Sequence, residues 1–181
     1  MVHWRKAAPG TQFMGEQMKK IITAAIAILV YSGAAFAADP VEGFWLSVDN
    51  KTGKIQSGWE MYVEDGKMYG RMLSAGGFTP ADKAARCRDR YNNFPIAGKV
   101  NQLPLFGTPW IFGLRMESPG HWTKGYIVNP EDGNMYELSL TYHPADGKKF
   151  QQETLEIRGW VLFFSGRQYW RRATREEASS L

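Results

Sequence analysis

The sequence predicts an all-β fold, an eight-stranded antiparallel up-and-down barrel with one short helix in the long link between the third and fourth strands. Three observations predict it. Glycine-bearing turn signals recur, runs rich in aromatic and β-branched residues lie between them, and no sustained 3.6-residue periodicity competes. The turns are Asn50-Lys51-Thr52-Gly53, Asp65-Gly66, Pro130-Glu131-Asp132-Gly133, Pro144-Ala145-Asp146-Gly147 and Ser165-Gly166. An open sheet of eight strands would leave two edges unpaired and one apolar face uncovered, and closure removes both problems. A two-sheet sandwich is the competing arrangement, but meander hairpins suit a barrel whereas Greek-key crossovers need longer links.

Residues 1–37 read as an N-terminal extension and cleavable signal peptide. Met18, Lys19 and Lys20 make a positive start, 21–31 an apolar stretch, and Ala35-Phe36-Ala37 a small-x-small cleavage site, with Met1, Met14 and Met18 all open as the start. The apolar run is shorter than the roughly 20 residues a spanning helix needs. Cleavage after Ala37 leaves a single domain, 38–181, expected in the periplasm, with no transmembrane segment. The leader holds four basic residues against Glu16, so the remainder carries 18 basic and 17 acidic residues, a net +1. That balance argues against nucleic acid as a partner. Cys87 is the only cysteine, so packing alone must hold the domain.

Strands are expected at 44–49, 54–64, 67–74, 110–117, 122–129, 134–142, 150–158 and 167–172, with 160–164 as an extension of the seventh. The hairpin around Asp65-Gly66 has a checkable register. With those two residues as a type I′ loop, Glu64 meets Lys67, Tyr62 meets Tyr69 and Glu60 meets Arg71, all on one face. The other face collects Trp59, Met61, Val63, Met68, Gly70 and Met72, and would turn to the core. In 122–129, strict alternation puts Trp122 and Ile127 on opposite faces.

Residues 75–109 break this rhythm. Thr79 and Pro80 signal a helix start with Asp82 near its positive end, so a helix is expected to Tyr91, stopped by Asn92, Asn93 and Pro95. So long a link suggests a lid whose Ala81, Ala84, Ala85 and Tyr91 rest on the barrel mouth, or else a plug in one end. Arg86, Arg88 and Arg90 read as a solvated face, and Cys87 as a buried inert thiol.

The residues offer no catalytic group. His121 and His143 lie beside turns, with no Cys, His or carboxylate at metal-ligand spacing, and no nucleophile elbow, phosphate loop or dinucleotide fingerprint is present. Asp49 and Glu117 are the carboxylates that could face a mouth together. No metal and no cofactor is expected, and an enzyme is unsupported.

An ordered series of motifs carries a family likeness. Gly43-Phe44-Trp45, Met68-Tyr69-Gly70 and Trp122-Thr123-Lys124-Gly125-Tyr126-Ile127-Val128-Asn129-Pro130 come first. Gly133-Asn134-Met135-Tyr136, Leu155-Glu156-Ile157-Arg158-Gly159 and Gln168-Tyr169-Trp170-Arg171-Arg172 follow. Together they resemble the exported bacterial family called domain of unknown function 2147, whose members look like lipocalin-type barrels of the calycin group. The resemblance implies a barrel and a habit of binding small ligands, and no reaction. Gly43 and Trp45 on the first strand, with an arginine on the last, are similar to the calycin structural signature. Arg172 is the expected partner of Trp45, because Trp170 and Arg172 alternate onto one face, and a guanidinium over the indole adds roughly 0.5–2 kcal/mol.

Without the leader the chain has 21 aromatic residues, more than a solid barrel core obviously requires. Trp59, Met61, Met72, Trp110, Phe112, Leu114, Tyr136, Leu138 and Leu140 are the expected lining for a small apolar or aromatic ligand. The alternative is a filled barrel that docks on another cell-envelope protein.

Overall fold

The computed structural model describes residues 38–161 and 164–181; the signal-peptide and start-site expectations lie outside them. Eight strands follow one another: β1 (Gly43–Val48), β2 (Ile55–Glu64), β3 (Lys67–Ala75), β4 (Ile111–Ser118), β5 (His121–Asn129), β6 (Asn134–His143), β7 (Thr154–Val161) and β8 (Phe164–Ala173). They close into an antiparallel barrel in sequence order. The β2–β3 hairpin has the register its turn dictates. Asp65 (φ 49°) and Gly66 (φ 70°) both occupy the left-handed region, and Glu64–Lys67, Tyr62–Tyr69 and Glu60–Arg71 face one another. Outside, the two tyrosine rings stack 5.7 Å apart and Glu60 pairs with Arg71 at 2.8 Å. Inside, Trp59, Met61, Met68 and Met72 are buried.

The seventh strand begins later than the residue types suggest and the eighth earlier. Positions 150–153 are not strand, because the Asp146 carboxylate accepts the backbone N–H groups of Lys148 and Phe150 and curls that stretch into a loop. Strand β7 then runs through Trp160 and Val161. Gly166 does not turn the chain as expected; it lies within β8, opposite Gly159.

Alternation also fails in β4 and β5, at one place. Gly113 (φ 75°) and Lys124 (φ 58°) are left-handed, and the ladders slip by one residue beside each of them, between β3 and β4 and between β5 and β6. These facing bulges let Trp122 and Ile127 share the inner face, which strict alternation forbids. They also send Phe112 to the outer face, opposite Tyr126, while Leu114 stays inside against Met68.

The link between β3 and β4 is not the expected helix. Residues 80–91 form turns, and the helical piece is a 3-10 turn at Val100–Gln102. The backbone groups that a helix would use pair instead with the second half of the link: Ala84 N–H donates to Leu103 O, and the Asp82 and Asp89 carbonyls accept from Leu105 N–H and Val100 N–H. Thr79 donates its N–H and hydroxyl to the Asp82 carboxylate, so its hydroxyl is spent on that side chain and caps no helix. Folded back on itself, the link straps the outer wall of β4–β6. Phe94 packs against Trp110 (5.8 Å) and Phe112 (5.3 Å), and the Tyr91 hydroxyl donates to Gly133 O. Ala84, Cys87, Val100 and Leu105 are buried there.

A four-residue helix, α1 (Arg175–Ala178), closes the chain. Thr174 and Glu177 form a capping box at its start. Its end lies on the outer face of β2 and β3, where Ser74 donates to Ala178 O and a side chain at Gly58 would overlap the Ala178 backbone.

Candidate functional site

One barrel end is sealed by the residues just before β1. Asp39 accepts from the Trp122 indole (3.0 Å) and the Gly120 amide (2.9 Å), and the Trp45 indole donates to Val41 O (2.8 Å). The Arg172 guanidinium lies 4.0 Å over the Trp45 ring and donates to Glu153 and to the carbonyls of Pro40 and Glu42. A side chain at Gly43 would press on that guanidinium, which explains the glycine two residues before the tryptophan. Glu153 also accepts from the Tyr142 hydroxyl; that bond, and then Arg172, hold its carboxyl below the ordinary value.

Above this floor the interior is packed. Met61, Leu114, Leu138 and Leu140 are buried inside the barrel, and the inner faces of Gly70 and Gly125 leave no room for a methyl group against Met61 and Leu114. Trp59 and Met72 face each other, and Trp59 stacks on Trp170 with centroids 5.1 Å apart. Two residues expected in the lining stand elsewhere. Trp110 and Phe112 are buried under the strap, displaced by the β4 bulge. Tyr136 is only half-buried, its hydroxyl donating to Asp132 in the β5–β6 turn.

The barrel opens along the seam between its first and last strands. Strands β1 and β8 pair through only Phe44–Ala173, Trp45–Arg172 and Leu46–Arg171. Beyond them the Asn50 side chain bridges the strands, donating to Arg167 O and accepting from Tyr169 N–H. A groove of about 420 Å³ lies here. Val48, Gly53 and Ile55 form one wall, Tyr169, Trp170 and Arg171 the other, with Gln152 and Thr154 beyond β8. Trp170 thus contributes to this groove and also stacks on Trp59. Toward the same end, Gly166 and Gln168, whose ladder places them on the inner face with Trp170, are exposed, and nothing stands within 4 Å of where a Gly166 side chain would begin. Sequence reasoning missed this groove, because β1–β8 pairing is decided by barrel closure and leaves no local signal.

The ionisable groups converge elsewhere. His143 bonds Glu156 across β6–β7 at 2.9 Å and stacks on Phe150 (4.3 Å), while Arg167 reaches the other Glu156 oxygen at 2.9 Å. Burial works to raise the Glu156 carboxyl, but the His143 bond and the neighbouring arginines outweigh it and hold it low. His121 bonds Thr141 and lies 3.3 Å from Glu117. Asp49 binds back onto Lys51 and Thr52 in the β1–β2 turn, at the opposite barrel end from Glu117, so these two carboxylates do not meet. Cys87 is buried, which raises its thiol. Among the described residues no group of three His, Cys, Asp or Glu could hold a metal ion, and no helix is long and apolar enough to cross a membrane.

The family model described as "Uncharacterized protein conserved in bacteria (DUF2147)" matches residues 43–172, from the floor glycine to the arginine over Trp45. The chain belongs to this family. No curated protein matches it. Among solved structures, this DUF2147 chain is similar to protein HP1028 of Helicobacter pylori, described as belonging to the lipocalin family. The identity is 17%, over 78% of this chain and 87% of that one, with a TM-score of 0.58. At that identity the likeness shows the fold, a lipocalin-like eight-stranded barrel.

Proposed function

We propose that this DUF2147 protein is a non-catalytic binding or carrier protein of the periplasm, taking a small apolar or aromatic ligand. The observation that carries the reading is the seam groove, which is lined in part by Trp170, itself stacked on Trp59. Its volume falls within the roughly 300–1,000 Å³ typical of small-ligand sites. Lipocalin-like barrels suit this use, and the leader at 18–37 supports export. The packed lower interior supports a site toward the seam and the opposite end, away from the floor.

Small molecules recovered by mass spectrometry from protein purified out of its native periplasm test the reading, together with thermal shifts against a panel of apolar and aromatic compounds. A reproducible bound species and a saturable rise in Tm are expected. Repeated recovery of clean protein with no shift from any compound overturns it in favour of the alternative, a filled barrel that docks on another envelope protein. N-terminal sequencing of the exported protein should begin at Ala38.

A further inference from the structure

The seam groove contains a group that an apolar ligand does not need. Arg171 lines it, half-buried, and makes no ion pair or side-chain hydrogen bond among the described residues. Its neighbours on β8 are engaged: Arg167 pairs with Glu156 and Arg172 with Glu153. An unpaired, half-buried guanidinium in a groove also lined by Val48, Ile55 and Trp170 is partly desolvated, and an anion there gains more than it would in water. A single planar guanidinium matches one carboxylate through two parallel N–H···O bonds.

We propose that the groove takes an amphipathic monocarboxylate, its apolar body laid along Val48, Ile55 and Trp170 and its carboxylate paired with Arg171. The inference deepens the small-ligand reading and rests on it. Two further features agree with it. The groove is open at the side, where the β1–β8 ladder stops after three residue pairs, so a charged head stays near water while the body is buried. The Asn50 bridge spans the same seam, and its loss should widen the route.

The test uses three probes with one ten-carbon chain, decanoate, decanol and decyltrimethylammonium, titrated below their aggregation limits. Tryptophan fluorescence and calorimetry follow binding to the wild-type protein and to Arg171→Gln. Decanoate should bind about tenfold tighter than decanol, the scale of one charge-assisted contact, and the ammonium probe weakest. Arg171→Gln should erase the preference for decanoate and leave decanol unchanged, and its Tm should match wild type because Arg171 has no partner to lose. Val48→Trp, which fills the groove, should weaken decanoate and decanol alike. Equal binding of decanoate and decanol, or a preference that survives Arg171→Gln, overturns the carboxylate assignment while the small-ligand reading stands. Failure of all three probes on folded wild-type protein overturns both.

Discussion

Arg172 does more at one position than any other side chain described. It stacks on Trp45, pairs with Glu153 and satisfies the Pro40 and Glu42 carbonyls, so it ties the last strand to the first and to the floor segment. Arg172→Ala leaves those acceptors and the indole face unpartnered and should cost about 2–4 kcal/mol in urea unfolding. Arg172→Lys should recover little of this, because an ammonium cannot reach several acceptors with a fixed fork. Which of the adjacent arginines does this was legible from alternation with Trp170. That Arg171 stands unpaired in a groove was not, since its surroundings come from β1, β2 and β7.

At the scale of elements, the strap from β3 to β4 and the small helix α1 are both held by outer-wall contacts. Replacing 79–92 with a glycine–serine bridge removes the buried Ala84 and Cys87 and the Tyr91 ring that packs on Phe94 over Trp110 and Phe112. The thermal midpoint should therefore fall steeply, as for removal of core. Phe94→Ala alone should cost about 2–4 kcal/mol, somewhat below a fully buried phenylalanine. Unchanged stability in either variant would mean that the strap does not support the wall. For α1, Gly58→Ala and removal of 175–181 act on one contact. Each should destabilise by about 1–3 kcal/mol, and the double variant should cost little more than either alone. The strand hairpin 55–75 could be read from the chain because its turn type sets its register. The strap could not, because Thr79, Pro80 and the alanines satisfy helix rules locally and the competing amide partners lie some twenty residues away.

For the whole molecule, acid is the informative perturbation. The Glu153 and Glu156 carboxyls titrate below their ordinary 4.5 in the folded protein, the first held by Tyr142 and Arg172, the second by His143 and arginines despite its burial. A depressed folded value means that the unfolded chain binds protons first. The stabilisation is therefore complete above about pH 4.5 and is lost as the pH falls through the folded values. Urea midpoints should be level from pH 7 to about 5 and drop below that range. Glu153→Gln and Glu156→Gln should each start less stable at pH 7 and lose less on acidification; an acid profile identical to wild type in both would contradict this account. Glu153 shares the floor with Arg172, so its protonation should also loosen the Trp45 environment, visible in near-UV circular dichroism.

Residue types alone determined the class of fold, the number of strands and the β2–β3 register, and alternation with Trp170 picked Arg172 as the partner that the family resemblance implies for Trp45. Each rests on neighbours in sequence or on strict alternation, which hold wherever the chain is locally regular. Tertiary structure decided the rest. Facing bulges at Gly113 and Lys124 moved Phe112 outward and brought Trp122 and Ile127 together. Barrel closure left β1 and β8 joined over three pairs, with the groove beside them. Those outcomes depend on how eight strands with their own twist and shear meet in three dimensions, a constraint set by distant segments and written in no single stretch of the chain.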